Sequence, residues 1–161
     1  GRFLPPQRAL YAMVLEVQER IIAMIAPGVR KKELQSAAER WLCEGMVTLG
    51  ILQGECDALI EAKAHKKYFP HGIGHWLGLD VHDPCPYVDA QGEEIPFVPG
   101  MVLTIEPGIY IRADDTEVPE CYRGIGIRIE DDVLITPEGC ENLSAAIPKS
   151  IEAIEALTCK D

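Results

Sequence analysis

The chain has 161 residues, 47% of them hydrophobic and 25% charged, which suits one domain, or a large part of one, with a real apolar core. Its net charge of -11 excludes a phosphate-binding surface of clustered Lys and Arg, so no nucleic-acid partner is expected. The longest unbroken apolar run, Ile21 to Pro27, is far too short to span a membrane, and no membrane partner is expected either.

Residues 7 to 26 read as a helix, with Leu10, Met13, Val14, Val17, Ile21, Met24 and Ile25 recurring on one face. Pro5 and Pro6 precede it and Pro27-Gly28 ends it. A second helix is predicted over 31 to 49, its stripe formed by Leu34, Ala37, Ala38, Trp41, Leu42, Met46 and Leu49, with Gly50 as its stop. A shorter helix is expected near 55 to 63. After Tyr68 glycines, β-branched residues and alternation take over. Met101 to Arg112 reads as a strand broken at Pro107-Gly108, and Ile125 to Thr136 as one long or bent strand. Loops run from Pro84 to Gly100 and from Asp114 to Gly124, and a short amphipathic helix near 150 to 158 closes the chain. Helices first and strands later predict an α+β fold, two long helices packed on a mainly antiparallel sheet.

Three of the four histidines fall in His71-Gly72-Ile73-Gly74-His75-Trp76-Leu77-Gly78-Leu79-Asp80-Val81-His82. Imidazole binds metal or moves protons near neutral pH, and the glycines allow backbone or substrate to come close. Two acids follow on strands. Alternation puts Leu103 and Ile105 on one face and Thr104 and Glu106 on the other; Ile125, Ile127 and Ile129 oppose Gly126, Arg128 and Glu130 in the same way. Taken alone, that alternation reads first as a solvated sheet face. If the face is covered, each acid needs a partner or a metal. One His and two Glu then make a partial shell for Mn²⁺ or a similar ion.

The six cysteines, at 43, 56, 85, 121, 140 and 159, contain no C-x-x-C pair, and no signal-peptide pattern is present. Free thiols in a reducing cytoplasm are expected. The start at Gly1-Arg2-Phe3, without an initiator Met, reads as a processed product or a piece of a longer chain.

Three runs, HGIGHWLGLDVHD (71–83), PGMVLTIEPGIYI (99–111) and YRGIGIRIEDDVLIT (122–136), resemble the M24 metallopeptidase family with its pita-bread fold. Within that family the similarity is to bacterial Xaa-Pro aminopeptidases, and looser likeness covers nearly the whole chain. The resemblance implies His75, Glu106 and Glu130 as metal ligands, with Glu130 bridging two divalent ions, Mn²⁺ first and Co²⁺ or Zn²⁺ as alternatives. It implies Glu106 as general base and His82 as the group that polarises the scissile carbonyl. It further implies His71 on the proline side of the substrate, with Arg128 and Tyr110 lining the pocket. The substrate would be a peptide with proline at its second position, and the enzyme a homo-oligomer.

The same resemblance expects two further metal aspartates, and another active-site histidine, from strands before the first helix. Residues 1–161 would then be the C-terminal portion of one catalytic domain, inactive by itself. Pro84-Cys85-Pro86 departs from the family's usual valine-glycine continuation and leaves the pocket's shape open. Two alternatives stand beside the aminopeptidase: a prolidase cleaving Xaa-Pro dipeptides, and a non-catalytic half used for binding or assembly. The run RGIGIRIEDDVLIT and the short 84–99 loop favour the aminopeptidase.

Overall fold

A computed structural model describes residues 1–159. Helix α1 spans Pro5–Ala23 and α2 spans Lys31–Thr48. The first begins two residues earlier than its periodicity indicates, because proline at the first helical turn lacks only an N–H that would be unpaired there anyway. Gln7 Oε1 accepts the Leu4 N–H at 2.9 Å, and Glu33 Oε1 accepts that of Arg30 at 2.9 Å, so each helix start is closed by a side chain from its own first turn. Leu10, Val14, Val17 and Ile21 of α1 are buried against Leu34, Ala38, Leu42 and Met46 of α2 in one apolar cluster. Burying a large aliphatic side chain fully is worth about 1.5–3 kcal/mol. Intrinsic helix propensities differ by at most about 0.7 kcal/mol among ordinary residues, so packing rather than propensity holds these helices.

The expected third helix is α3 (Cys56–Glu61), and a separate 3-10 turn, Ala64–Lys67, follows it. Lys63 between them adopts φ 56°, which no continuous α-helix tolerates. The last helix, α4, covers Ile151–Thr158 and is capped by the Ser150 hydroxyl, which accepts the Ala153 N–H.

The strands are β1 (Val102–Ile105), β2 (Gly108–Tyr110), β3 (Gly126–Arg128), β4 (Asp131–Thr136) and β5 (Gly139–Asn142). β1 pairs antiparallel with β4, which pairs with β5; β2 pairs antiparallel with β3. One register runs through both pairings: Ile105 faces Asp131, and Gly108 faces Arg128. The two sheets are therefore a single two-stranded ribbon interrupted at Glu106-Pro107 and Ile129-Glu130. Pro107 cannot donate to a ladder, which accounts for the break on its strand. Gln18 of α1 is fully buried and donates from Nε2 to the Ile105 carbonyl at 3.2 Å, tying the core to the break.

Sequence patterning misses β5, whose Gly-Cys-Glu-Asn run has little β propensity. It also misses an extended segment beside β1. There Ile73 O accepts the Glu106 N–H at 2.7 Å, His75 O accepts that of Thr104 at 2.9 Å, and Leu77 N–H donates to Val102 O at 3.1 Å. The histidine run is thus laid along the strand that ends in Glu106. Gly74 permits the approach, since a Cβ there would stand 1.8 Å from the Thr104 carbonyl oxygen.

Candidate metal centre

At the break in the ribbon, the common register sets Glu106 opposite Glu130. Like charges directly across a strand pair repel. Here they are joined by an imidazole: one ligand atom each from His75, Glu106 and Glu130 lies within 4.8 Å of the others. Two donors bound about 2.0–2.2 Å from one ion stand at most about 4.4 Å apart, so the cluster is close to the span of a shared cation. Two hard carboxylates and one imidazole also form a donor set that suits first-row divalent ions. The residues present fit the group.

His75 and Glu106 are held in place by their neighbours, while Glu130 is exposed. His75 Nδ1 lies 3.0 Å from the Trp76 carbonyl oxygen, which can only accept, so that nitrogen carries the proton. This leaves Nε2 turned toward Glu106, with Oε1 3.5 Å away. The buried Thr104 hydroxyl accepts the His75 N–H at 3.0 Å and donates toward Glu106 Oε1 at 3.4 Å. Arg128 Nε stands 4.0 Å from Glu106 Oε2, the only ion pair that reaches the two glutamates from a cationic residue other than histidine among the described residues.

The remaining expected residues surround this cluster. The His82 ring sits edge-on to His75 with centroids 4.4 Å apart. His71 lies farther along the same segment. Its Nδ1 donates to the Gly72 carbonyl at 2.8 Å, and its Nε2 is 2.8 Å from the Tyr110 hydroxyl. Burial raises the pKa of the Tyr110 phenol; Arg128 lowers it, and Glu106 and Glu130 raise it. The phenol therefore stays protonated beside His71. The solvated-face alternative fails on β1, where Thr104 is buried and Glu106 only partly exposed, but describes the facing strand, where Gly126, Arg128 and Glu130 are exposed.

Sequence reasoning overlooks two polar residues of α2 that meet the histidine run. Gln35 Oε1 accepts the Ile73 N–H at 2.6 Å, while its Nε2 donates to Glu39 Oε1 at 2.7 Å. Lys31, one turn earlier, lies over the Tyr87 ring. On a helical wheel both look like members of a solvated face, and no local signal marks them.

The model of metallopeptidase family M24 matches residues 1–137. The chain is 51% identical over 157 residues to the Xaa-Pro aminopeptidase of Escherichia coli (strain K12), covering 98% of this chain and 35% of that protein. It is 48% identical over 157 residues to the Xaa-Pro aminopeptidase of Haemophilus influenzae, covering 98% of this chain and 36% of the relative. Among solved structures, the Pseudomonas aeruginosa aminopeptidase PepP matches with a TM-score of 0.93 at 47% identity, over 97% of this chain and 35% of that one. Zinc-substituted E. coli aminopeptidase P in complex with product matches with a TM-score of 0.92 at 48% identity, over 99% of this chain and 36% of that one. The chain thus spans about a third of the length of these relatives. Broken ribbon, converging ligands and relatives agree: the chain belongs to metallopeptidase family M24.

Proposed function

We propose that this chain forms part of a Xaa-Pro aminopeptidase that depends on two divalent metal ions, with His75, Glu106 and Glu130 among their ligands. The observation that carries the reading is the meeting of one imidazole and two carboxylates within 4.8 Å at the ribbon break. Relatives named Xaa-Pro aminopeptidase support it. Mn²⁺ is the ion assigned, with Co²⁺ and Zn²⁺ as alternatives that the same donors accept. When bound, such ions supply Lewis acidity that lets water act as a nucleophile near neutral pH.

The chain's own residues then divide the remaining work. Glu106 is the general base, its two oxygens oriented by Thr104 and Arg128. His82 hydrogen-bonds the scissile carbonyl as negative charge grows on its oxygen. His71 and Tyr110, already hydrogen-bonded to each other, contact the proline side. Arg128 offsets the negative charge of the glutamates. Six free cysteines suit a reducing compartment, so the reading extends to a cytoplasmic enzyme. Exposed Leu79 and Val81, between His75 and His82, support self-association into a homo-oligomer. No helix among the described residues is long and apolar enough to cross a membrane.

The test is hydrolysis of Xaa-Pro-Yaa peptides by the full-length protein with Mn²⁺, with release of the first residue followed by mass spectrometry. Cleavage confined to Xaa-Pro dipeptides would replace the aminopeptidase with a prolidase. No cleavage would sink the peptidase reading, and cleavage indifferent to proline would sink its Xaa-Pro specificity. Residues 1–161 alone offer three ligands where the family uses five. Calorimetry with Mn²⁺ on that chain is expected to show weak binding, and a peptide assay to show no turnover. Tight uptake of two ions, with turnover proportional to protein, would refute the incompleteness.

A further inference from the structure

Packing alone does not account for His65. It lies on the 3-10 turn Ala64–Lys67, is 1% exposed, and neither ring nitrogen makes a hydrogen bond among the described residues. Buried polar atoms are normally paired, and an unpaired one costs stability that an apolar ring of similar size would not. The turn itself adds strain: Lys63, just before it, stands at φ 56°, a conformation that persists only where its surroundings enforce it. What the ring faces is a carboxylate, with His65 Nε2 3.5 Å from Glu39 Oε2.

Glu39 divides its two oxygens. Oε1 takes the Gln35 amide at 2.7 Å and the Lys66 ammonium, while Oε2 faces His65. Burial pushes the Glu39 carboxyl up, but hydrogen bonds from Lys66 and Gln35 and the charges of Lys66 and His65 hold it below the usual carboxylate range. Glu39 is therefore ionised, and it selects which end of the Gln35 amide turns toward it, the NH₂ group. The other end, Oε1, then meets the Ile73 N–H at 2.6 Å, and the Ile73 carbonyl takes the Glu106 N–H at 2.7 Å. Lys66 is 38% exposed and draws Glu39 toward solvent; the buried imidazole on the second oxygen opposes that swing. A second route runs along the backbone. The His65 carbonyl accepts the N–H groups of Tyr68 at 3.0 Å and Phe69 at 2.9 Å, and the buried Phe69 ring meets His71 edge-on, with centroids 4.9 Å apart. We propose that His65 is a positioning residue for the metal centre: it sets the Glu39 carboxylate, which orients Gln35 and, through Ile73, the segment that holds His75 beside Glu106. The proposal rests on the metal-centre reading of His75, Glu106 and Glu130.

The experiment uses the full-length protein. His65→Phe keeps a ring and removes two unpaired buried nitrogens, so Tm of the metal-free protein is expected to hold or rise. Mn²⁺ affinity by calorimetry is nonetheless expected to fall about tenfold, the low end for groups that orient ligands. Amide exchange at Ile73 in the metal-free protein is expected to quicken. His65→Gln, whose amide can donate to Glu39, is expected to retain most of the affinity. In a Gln35→Met background, His65→Phe is expected to change affinity by less than about twofold, because both residues act along one path. A histidine that merely packs gives the opposite pattern. Affinity that His65→Phe leaves intact, or lowers equally in both backgrounds, overturns the proposal while the metal centre stands. If phenylalanine is too large for the site and the variant does not fold, His65→Leu carries the same test. A wild type that takes up no Mn²⁺ overturns the metal centre and the proposal together.

Discussion

Asp131 and Glu130 are neighbours at the start of β4, yet their side chains lie on opposite sides of the ribbon and in opposite circumstances. Asp131 is buried on the core side, where Lys149 pairs with its Oδ2 and Asn142 Nδ2 donates to the same oxygen at 2.9 Å. Glu130, on the other side, meets a second acid, Glu106, and an imidazole. The core side carries its own counter-charge in sequence; the site side leaves negative charge in excess. Buried acids on a structural face are paired by the protein, so two facing acids met by one cation, Arg128, beside a metal-competent histidine point to a ligand from outside the chain.

The comparison breaks most visibly at Glu106. Glu106→Gln removes base and ligand together, and turnover of an Xaa-Pro peptide by the full-length protein is expected to fall by about 10²–10⁴-fold, the range for a general base. In metal-free protein the same change removes one of two facing carboxylates, so Tm is expected to hold or rise slightly. A large loss of Tm without metal would make Glu106 a structural acid like its neighbour.

Asp131→Ala is the converse. It strands the Lys149 ammonium, whose side chain is 20% exposed, and a buried pair broken on one side costs about 3–5 kcal/mol, somewhat less here for that exposure. Denaturant unfolding measures it. Among molecules still folded, Mn²⁺ affinity is expected to stay close to wild type, because Asp131 faces away from the ligands. Unchanged stability would dissolve the distinction between the two faces.

Much of this was legible in the sequence, and the reasons differ by region. The helices announce themselves through apolar periodicity, since packing on one face fixes which residues must be large. The break at Pro107 follows from proline's missing donor, and the three motif runs carry the family. Strand alternation alone, however, cannot tell Glu106 from a solvated acid, because the imidazole that meets it, His75, lies about thirty residues earlier. Asp131 is equally opaque: its partner Lys149 lies eighteen residues on, after a strand that its own residues hardly favour. Gln18, Gln35 and Lys31 are polar groups on helices, and only the tertiary arrangement shows that each meets a backbone or a ring rather than water.

Gln35 sharpens the comparison at its finest level, because it supports the site from the core side without touching a metal ligand. Its Oε1 takes the N–H of buried Ile73, whose carbonyl in turn takes the N–H of Glu106. Behind it, Glu39 receives the Gln35 amide and the Lys66 ammonium, so the glutamine cannot rotate freely. Gln35→Met keeps length and approximate shape but offers no comparable acceptor to Ile73. Leaving that N–H unpaired costs about 1–3 kcal/mol of stability, and loosening the segment that carries His75 is expected to weaken Mn²⁺ binding by about 10–100-fold, the usual effect of groups that orient ligands. Gln35→Glu restores an acceptor and should recover part of the affinity despite its repulsion with Glu39. The control is Leu34→Ala, one residue away and fully buried: it should cost about 2–5 kcal/mol in unfolding experiments while leaving metal affinity of the folded protein unchanged. If both variants lower affinity only in proportion to their loss of stability, Gln35 is an ordinary packing residue and the histidine run is positioned by its ladder with β1 alone.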